Sequence, residues 1–316
     1  MHSMAEIHHF QHGWVTPTVS YTLSVLGSLL GLICAVRLRQ APSAGWRAWW
    51  LTMAALAIGG TGIWTMHFVA MMGFSVVGLP IRYDVGLTAA SAGLAIGAVG
   101  IGLFIVMRGT RAKTVRVIVG GLFAGLGVAA MHFTGMYAMH LDGTISYQPT
   151  RVTAAIIIAV VAATVALWLT VTVNKPSAIL ISALVMGIAV NGMHFTGMSA
   201  MSVRPGEPSA TLTGATGTTL LIPIGLLVIF GVLGLAYTLM AAPTEEDRAG
   251  AAYLASRQAA GEQPAAPAPS FGQPGPRQEQ PPAPPTVPGA APQQLPNGRR
   301  MPSANSSWTY RDRSSR

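Results

Sequence analysis

Three histidines, His67, His132 and His194, are the only histidines or formally charged residues deep inside the long apolar runs of this chain, and each stands in a Met-His-Phe triplet. An imidazole is costly at membrane depth, so its presence there points to function. A further methionine follows each His by four residues. His67 and Met71, His132 and Met136, and His194 and Met198 therefore fall one helical turn apart on a common face. Imidazole with thioether is a soft donor set that selects copper, above all Cu(I), over zinc, magnesium or calcium. Met66, Met131 and Met193, directly before each His, are turned by about 100° on an ideal helix and rank second as ligands. Haem uses the same ligand types but requires a planar slot between helices, so it ranks behind copper.

The elements that must hold these residues are membrane spans. Of 316 residues, 51% are hydrophobic and 9% charged, against roughly 25% charged in soluble domains. Seven runs reach the length of a bilayer-spanning helix, at about 17–36, 48–70, 85–107, 115–139, 152–173, 177–201 and 219–241. The short alternating segments of a membrane barrel are absent. The fold class is thus an all-α membrane protein with the lipid bilayer as its first partner. Arg37, Arg39, Arg47, Arg108, Arg111, Lys113, Arg116 and Lys175 fall on one side, and only Arg82, Arg151 and Arg204 on the other. By the positive-inside rule the N-terminus lies outside and the C-terminus inside, in a plasma membrane. The net charge of +9 is spread over loops and tail, with no aromatic-interleaved basic patch, so no nucleic-acid partner is expected.

The histidines are 65 and 62 residues apart, and each interval holds two spans, giving three two-helix repeats plus a seventh helix. Gly60, Gly125 and Gly187 each precede a His by seven residues, and Gly62, Gly127 and Ala189 by five. Small residues at such positions let helices approach closely in lipid. Even the connections rhyme, Ile81-Arg82-Tyr83-Asp84 against Ile145-Ser146-Tyr147-Gln148. Repeats of like orientation are expected around an axis along the membrane normal, which brings the three imidazoles to one depth near the outer face. Met139 and Met201 extend the methionine stripe in two repeats, and Asn191, three residues before His194, is a candidate supporting partner for it. His9 and His12, with His2 and His8, form a candidate metal-capture arm on the outer side. Cys34 lies near the opposite end of the first span and is not expected to be a ligand.

Four segments follow: an extracytoplasmic stretch over 1–16, the seven-helix domain over 17–243, a short cytoplasmic helix over 244–261 opened by the capping box Thr244-Glu-Glu-Asp247, and a Pro-, Ala- and Gln-rich tail over 262–316 expected to be disordered. No nucleophile, base and acid set or phosphate loop is present, so no enzymatic activity is expected.

Met131-His-Phe-Thr-Gly-Met136, Met193-His-Phe-Thr-Gly-Met198 and Gly59-Gly-Thr-Gly-Ile-Trp-Thr-Met-His67 closely resemble the motifs of the bacterial MHYT-domain integral membrane sensors. The resemblance covers about residues 9 to 243. It implies sensing of oxygen, carbon monoxide or nitric oxide through copper near the outer face. By position it carries ligand roles to Met66, His67, Met71, Met131, His132, Met136, Met193, His194 and Met198. Phe stands for the motif tyrosine in all three copies, and Val69 for the motif threonine in the first. Many relatives continue into cyclic-dinucleotide enzymes or kinases, whereas here a short helix and a tail follow, so this chain is expected to stand alone and to signal through a separate cytoplasmic partner. The alternatives are a copper-handling or transport protein, and a structural membrane protein whose histidines only pack helices.

Overall fold

The computed structural model describes residues 5–109, 111–207, 212–241 and 245–261 of the chain. Among the described residues seven helices are long and apolar enough to cross a membrane: α1 (Val15–Gln40), α2 (Ala44–Met71), α3 (Val85–Met107), α4 (Lys113–Tyr137), α5 (Pro149–Thr172), α6 (Pro176–Ser199) and α7 (Gly217–Ala241). Their starts follow from local chemistry. Ser43 Oγ accepts the Trp46 amide at 3.4 Å to open α2, and Asp84 Oδ1 accepts the Leu87 amide at 2.8 Å to open α3. Pro149 and Pro176 stand at the first positions of α5 and α6, where a missing N–H costs nothing.

Spans α1 to α6 pack in sequence order and close into a ring, with α1 against both α2 and α6, while α7 packs outside the ring on α2 and α1. Helices α2, α4 and α6, which carry the three histidines, touch one another across the middle. Outward faces are apolar, as lipid requires: Ile157 and Val161 of α5 and Ile222 and Phe230 of α7 are exposed. Inward, α1 buries a polar stripe of Thr16, Ser20, Ser24 and Ser28, spaced by four. Backbones approach closely at Gly27 of α1, where a Cβ would come within 2.5 Å of Gly62 Cα and 2.6 Å of the Ala57 carbonyl oxygen of α2.

Span α2 is not a uniform α-helix. Over Leu56–Thr65 it widens into π-helical winding, a form rare beyond a single turn and frequent at functional sites. The Gly59-Gly60-Thr61-Gly62 run leaves the backbone unconstrained there, and Thr65 Oγ1 donates to the Gly60 carbonyl at 3.0 Å. The second and third repeats keep ordinary α winding.

Spans α4 and α6 end earlier than the apolar runs suggest. Met139 and Met201, expected to extend the helical stripe, instead enter strands: β4 (Met139–His140) pairs antiparallel with β3 (Arg82–Tyr83), and β6 (Met201–Pro205) with β5 (Gly143–Tyr147). Tyr83 faces Met139 and Tyr147 faces Met201 in register. A third pair joins β1 (Ile7–His8) to β2 (Ser75–Val76). These three two-stranded sheets, each joining segments distant in sequence, fasten the connections at the motif end of the bundle. The chain divides into two compact units, Met1–Gly250 and Ala251–Arg316. Helix α8 (Glu245–Gly261) runs into the second, whose remaining residues, the expected tail 262–316, lie outside the described residues together with Thr244 of the expected capping box.

Candidate metal centre

His67, His132 and His194 meet at the centre of the ring. Each is 0–1% exposed. His67 Nδ1 lies 3.0 Å from His194 Nδ1 and 3.1 Å from His132 Nδ1. The ring centroids are 4.9, 5.0 and 5.2 Å apart, with planes at 75°, 78° and 89°, so the rings meet edge to face in near threefold fashion. Two imidazole nitrogens each about 2.0 Å from one tetrahedral ion would be about 3.3 Å apart. The observed separations lie close to that value.

No proton arrangement satisfies this triangle from within. A neutral imidazole has one N–H and one acceptor nitrogen, so three facing Nδ1 atoms hold at most one good N–H···N bond. All three Nε2 atoms are buried and lack a hydrogen-bond partner. An unpaired buried polar group costs about 1–3 kcal/mol, and several ring nitrogens would remain unpaired in any tautomer. One cation shared by the three Nδ1 lone pairs removes that cost at all three together. Among the described residues these are the only three clustered side chains of His, Cys, Asp or Glu type able to hold an ion.

Glycines bring the rings this close. A Cβ on Gly135 would collide with Nε2 of His67, and one on Gly197 with Nε2 of His132. Two of the three rings, those of His67 and His132, thus lie against the glycine three residues past the next histidine, where only a bare Cα fits. Aromatic side chains then seal the motif end. Phe133 and Phe195 each stand edge-to-face on their own histidine at 5.0 Å. Tyr83 packs on Phe68 at 5.4 Å, Tyr147 on Phe133 at 6.2 Å, and Phe10 on Phe195 at 5.6 Å. Burial pushes both tyrosine phenols above their ordinary range, so both stay protonated. The N-terminal segment crosses this end, with Gln11 N bonding the Gly73 carbonyl at 2.8 Å and Ala5 N the Val203 carbonyl at 2.9 Å.

The six motif methionines, Met66, Met71, Met131, Met136, Met193 and Met198, are all buried to within 2%. The three imidazole nitrogens are the donors brought within ligand distance of one another; the thioethers are buried in the core. Asn191 does not support His194. Its Nδ2 donates to the Gly187 carbonyl at 2.8 Å and its Oδ1 accepts from Ser20 Oγ at 3.1 Å, so it ties α6 to α1, because position 191 on α6 faces α1. His9 is half-buried against Phe74, ring centroids 5.7 Å apart, and desolvation lowers its pKa below the ordinary value. His12 is exposed in the turn before α1, and His8 approaches Glu6 at 3.6 Å. His2 lies outside the described residues. Cys34 is buried in the α1 core.

Gly135, Gly197, Tyr83, Tyr147 and Phe10 were missed as parts of the centre by sequence reasoning. The signal for the first four was present: the Thr-Gly-Met ending of two triplets and the rhyming connections place them at equivalent positions. Nothing in the sequence marks Phe10.

The geometry coincides with a known repeat. The family model described as the bacterial signalling protein N terminal repeat, MHYT, matches residues 60–120, 125–183 and 187–253, over half of the chain, and its three copies open on Gly60, Gly125 and Gly187. Over 173 residues the chain is 40% identical to the bifunctional diguanylate cyclase/cyclic di-GMP phosphodiesterase MucR of Pseudomonas aeruginosa, covering 53% of this chain and 24% of that protein. It is 35% identical over 167 residues to the cyclic di-GMP phosphodiesterase NbdA of the same organism, covering 50% and 21%. With the signaling protein YkoW of Bacillus subtilis it shares 37% over 158 residues, covering 48% and 19%. The chain therefore spans a quarter or less of the length of these relatives. No solved structure matches it. Three matched repeats, each ending a span with one of three converging histidines, show that this multi-pass membrane chain belongs to the MHYT family of bacterial signalling proteins.

Proposed function

We propose that the chain is a membrane sensor whose three histidines hold a copper ion that reports a diatomic gas, O2, CO or NO, or the redox state. The convergence of three buried Nδ1 atoms with no carboxylate beside them carries this reading. Imidazole donors on helices that also bury the six motif thioethers suit copper better than zinc, magnesium or calcium. Three rings meeting at 3.0–3.1 Å leave no gap for a macrocycle, which argues against haem. When bound, copper supplies redox change and a position for a diatomic ligand. The chain's own residues do the rest: Gly135 and Gly197 admit the rings, the motif phenylalanines and Tyr83 and Tyr147 exclude water, and the N-terminal segment covers the site.

The excess of Lys and Arg at the opposite end supports placing the centre near the periplasmic face of the plasma membrane, with the N-terminus outside. A ligand that favours one arrangement of α2, α4 and α6 over another would shift the bundle between two packings. In this reading the chain performs no catalysis in the bundle. The shift passes to a cytoplasmic output, for which the cyclic di-GMP enzymes among the relatives are the model, on the same polypeptide or on a separate partner. Copper analysis of the full chain purified with added copper tests this. One ion per chain is the expected stoichiometry, with loss of at least nine-tenths of it in His132→Ala/His194→Ala; unchanged copper in that variant would overturn the reading.

A further inference from the structure

At the end of the bundle opposite the histidines, a cavity of about 880 Å³ opens between the end of α1, the start of α2, the end of α3 and the start of α4. Arg39, Arg47, Arg108 and Lys113 line it, and none of its lining residues is acidic. A sphere of that volume is about 6 Å in radius, inside the roughly 8 Å Debye length, so each of the four charges acts on a guest at its centre with little screening. Their present partners are neutral. Arg47 donates to the Met107 carbonyl at 3.0 Å and Lys113 to the Val171 carbonyl at 3.2 Å. Arg39 donates to the carbonyls of Thr170 and Val173 and to Asn174 Oδ1, while Arg108 lies over the Phe104 ring at 5.3 Å. The remaining wall is apolar, with Leu51 and the exposed Phe104 leading from the basic rim toward the lipid-facing surface.

The positive-inside rule explains why cations sit at this end, but it asks only that they lie in loops. It does not gather four of them around one cavity with an apolar wall. The geometry points to a binding site for an anionic phospholipid. The arginines take the phosphodiester oxygens in forked hydrogen bonds, for which guanidinium is shaped. Lys113 adds a point charge, and an acyl chain leaves along Leu51 and Phe104. Basic pockets between spans hold anionic headgroups in this way, and the volume matches that of small-molecule sites, about 300–1,000 Å³. A free phosphate would use the rim and leave the apolar wall without a purpose. One wall belongs to α2, whose far end carries His67.

The test uses the full chain, delipidated in neutral detergent, titrated with phosphatidylglycerol or phosphatidylcholine and read by native mass spectrometry. Phosphatidylglycerol is expected to bind at least tenfold tighter than phosphatidylcholine. Arg47→Gln/Arg108→Gln should cut that affinity at least fivefold, and Arg151→Gln/Arg204→Gln, at the opposite end, should leave it unchanged. Should the first double variant fail to fold, Ala48→Trp decides: it places an indole in the cavity while keeping all four cations, and it should lower phosphatidylglycerol affinity at least fivefold. Equal binding of the two lipids would overturn the proposal. So would equal losses in both double variants, undiminished binding to Ala48→Trp, or full displacement of the lipid by an equal concentration of glycerol phosphate.

Discussion

Gly125→Ala is expected to leave little folded protein, Gly187→Ala to lower the melting temperature by several degrees, and Gly60→Ala to leave it unchanged. All three glycines precede a motif histidine by seven residues, yet they face different neighbours. A Cβ at Gly125 would meet backbone of α5, with Val160 N at 2.8 Å and the Ala159 carbonyl oxygen at 2.9 Å. Backbone cannot step aside without moving a whole helix, so the cost reaches or exceeds the upper end of the roughly 1–3 kcal/mol of ordinary overpacking. At Gly187 the obstacles are side chains, Val25 Cγ2 at 2.7 Å and Tyr21 Cε2 at 3.1 Å, which can turn away at the lower end of that range. With about 2–4 °C per kcal/mol for a domain of this size, a shift of several degrees follows. At Gly60 only the Ile96 side chain comes near, at 3.7 Å, an ordinary contact. Thermal unfolding of the three single variants, followed by circular dichroism, checks the order; equal shifts would contradict it.

That gradient shows where the sequence stops being informative. The seven spans, the three repeats and the common depth of His67, His132 and His194 were legible because each rests on a local property: apolar length, internal similarity, or position within a run. Which neighbour a repeated glycine touches depends on the order of helices around the ring, and no local pattern encodes that. The same limit explains Asn191, whose spacing from His194 suggested support for the imidazole but whose position on α6 points it at Ser20 of α1. It also explains the π-helical stretch of α2, because a Gly-rich run permits such winding without requiring it. Met139 and Met201 fell outside their helices because pairing with Tyr83 and Tyr147 in two-stranded sheets competes with one more helical turn.

Gly197→Ala is expected to cost the centre its copper without altering any ligand. The new Cβ would occupy the place of His132 Nε2 and stand 2.8 Å from its Cδ2. That ring is fully buried between two other imidazoles, so it can yield only by moving Nδ1 off the common centre. Displacing the support of a metal ligand lowers affinity about 10- to 100-fold. Gly135→Ala should act likewise through His67, less severely because its Cδ2 would stand at 3.1 Å. Gly192→Ala is the control: no atom lies within 4 Å of its Cβ position, so copper affinity and stability should match the parent chain. Competition titration with a Cu(I) chelator measures all three. Parent-like affinity in Gly197→Ala would show that His132 does not bind the metal through the arrangement described.

The candidate ligands themselves divide along the same line. Their residue types and their shared depth could be read from spacing, but the imidazoles' approach through Nδ1, with the Nε2 atoms of His67 and His132 turned outward against a helix, could not. For those two rings it is fixed by the glycine three residues past a histidine on the neighbouring span, a relation between repeats that only the assembled ring reveals.

The most direct test is X-ray absorption at the copper edge on the copper-loaded full chain. A first shell containing three imidazole nitrogens at about 2.0 Å, lost in His132→Ala/His194→Ala, is the expected result. A shell of oxygens alone, or a nitrogen shell that survives removal of both histidines, would contradict a copper centre built on His67, His132 and His194.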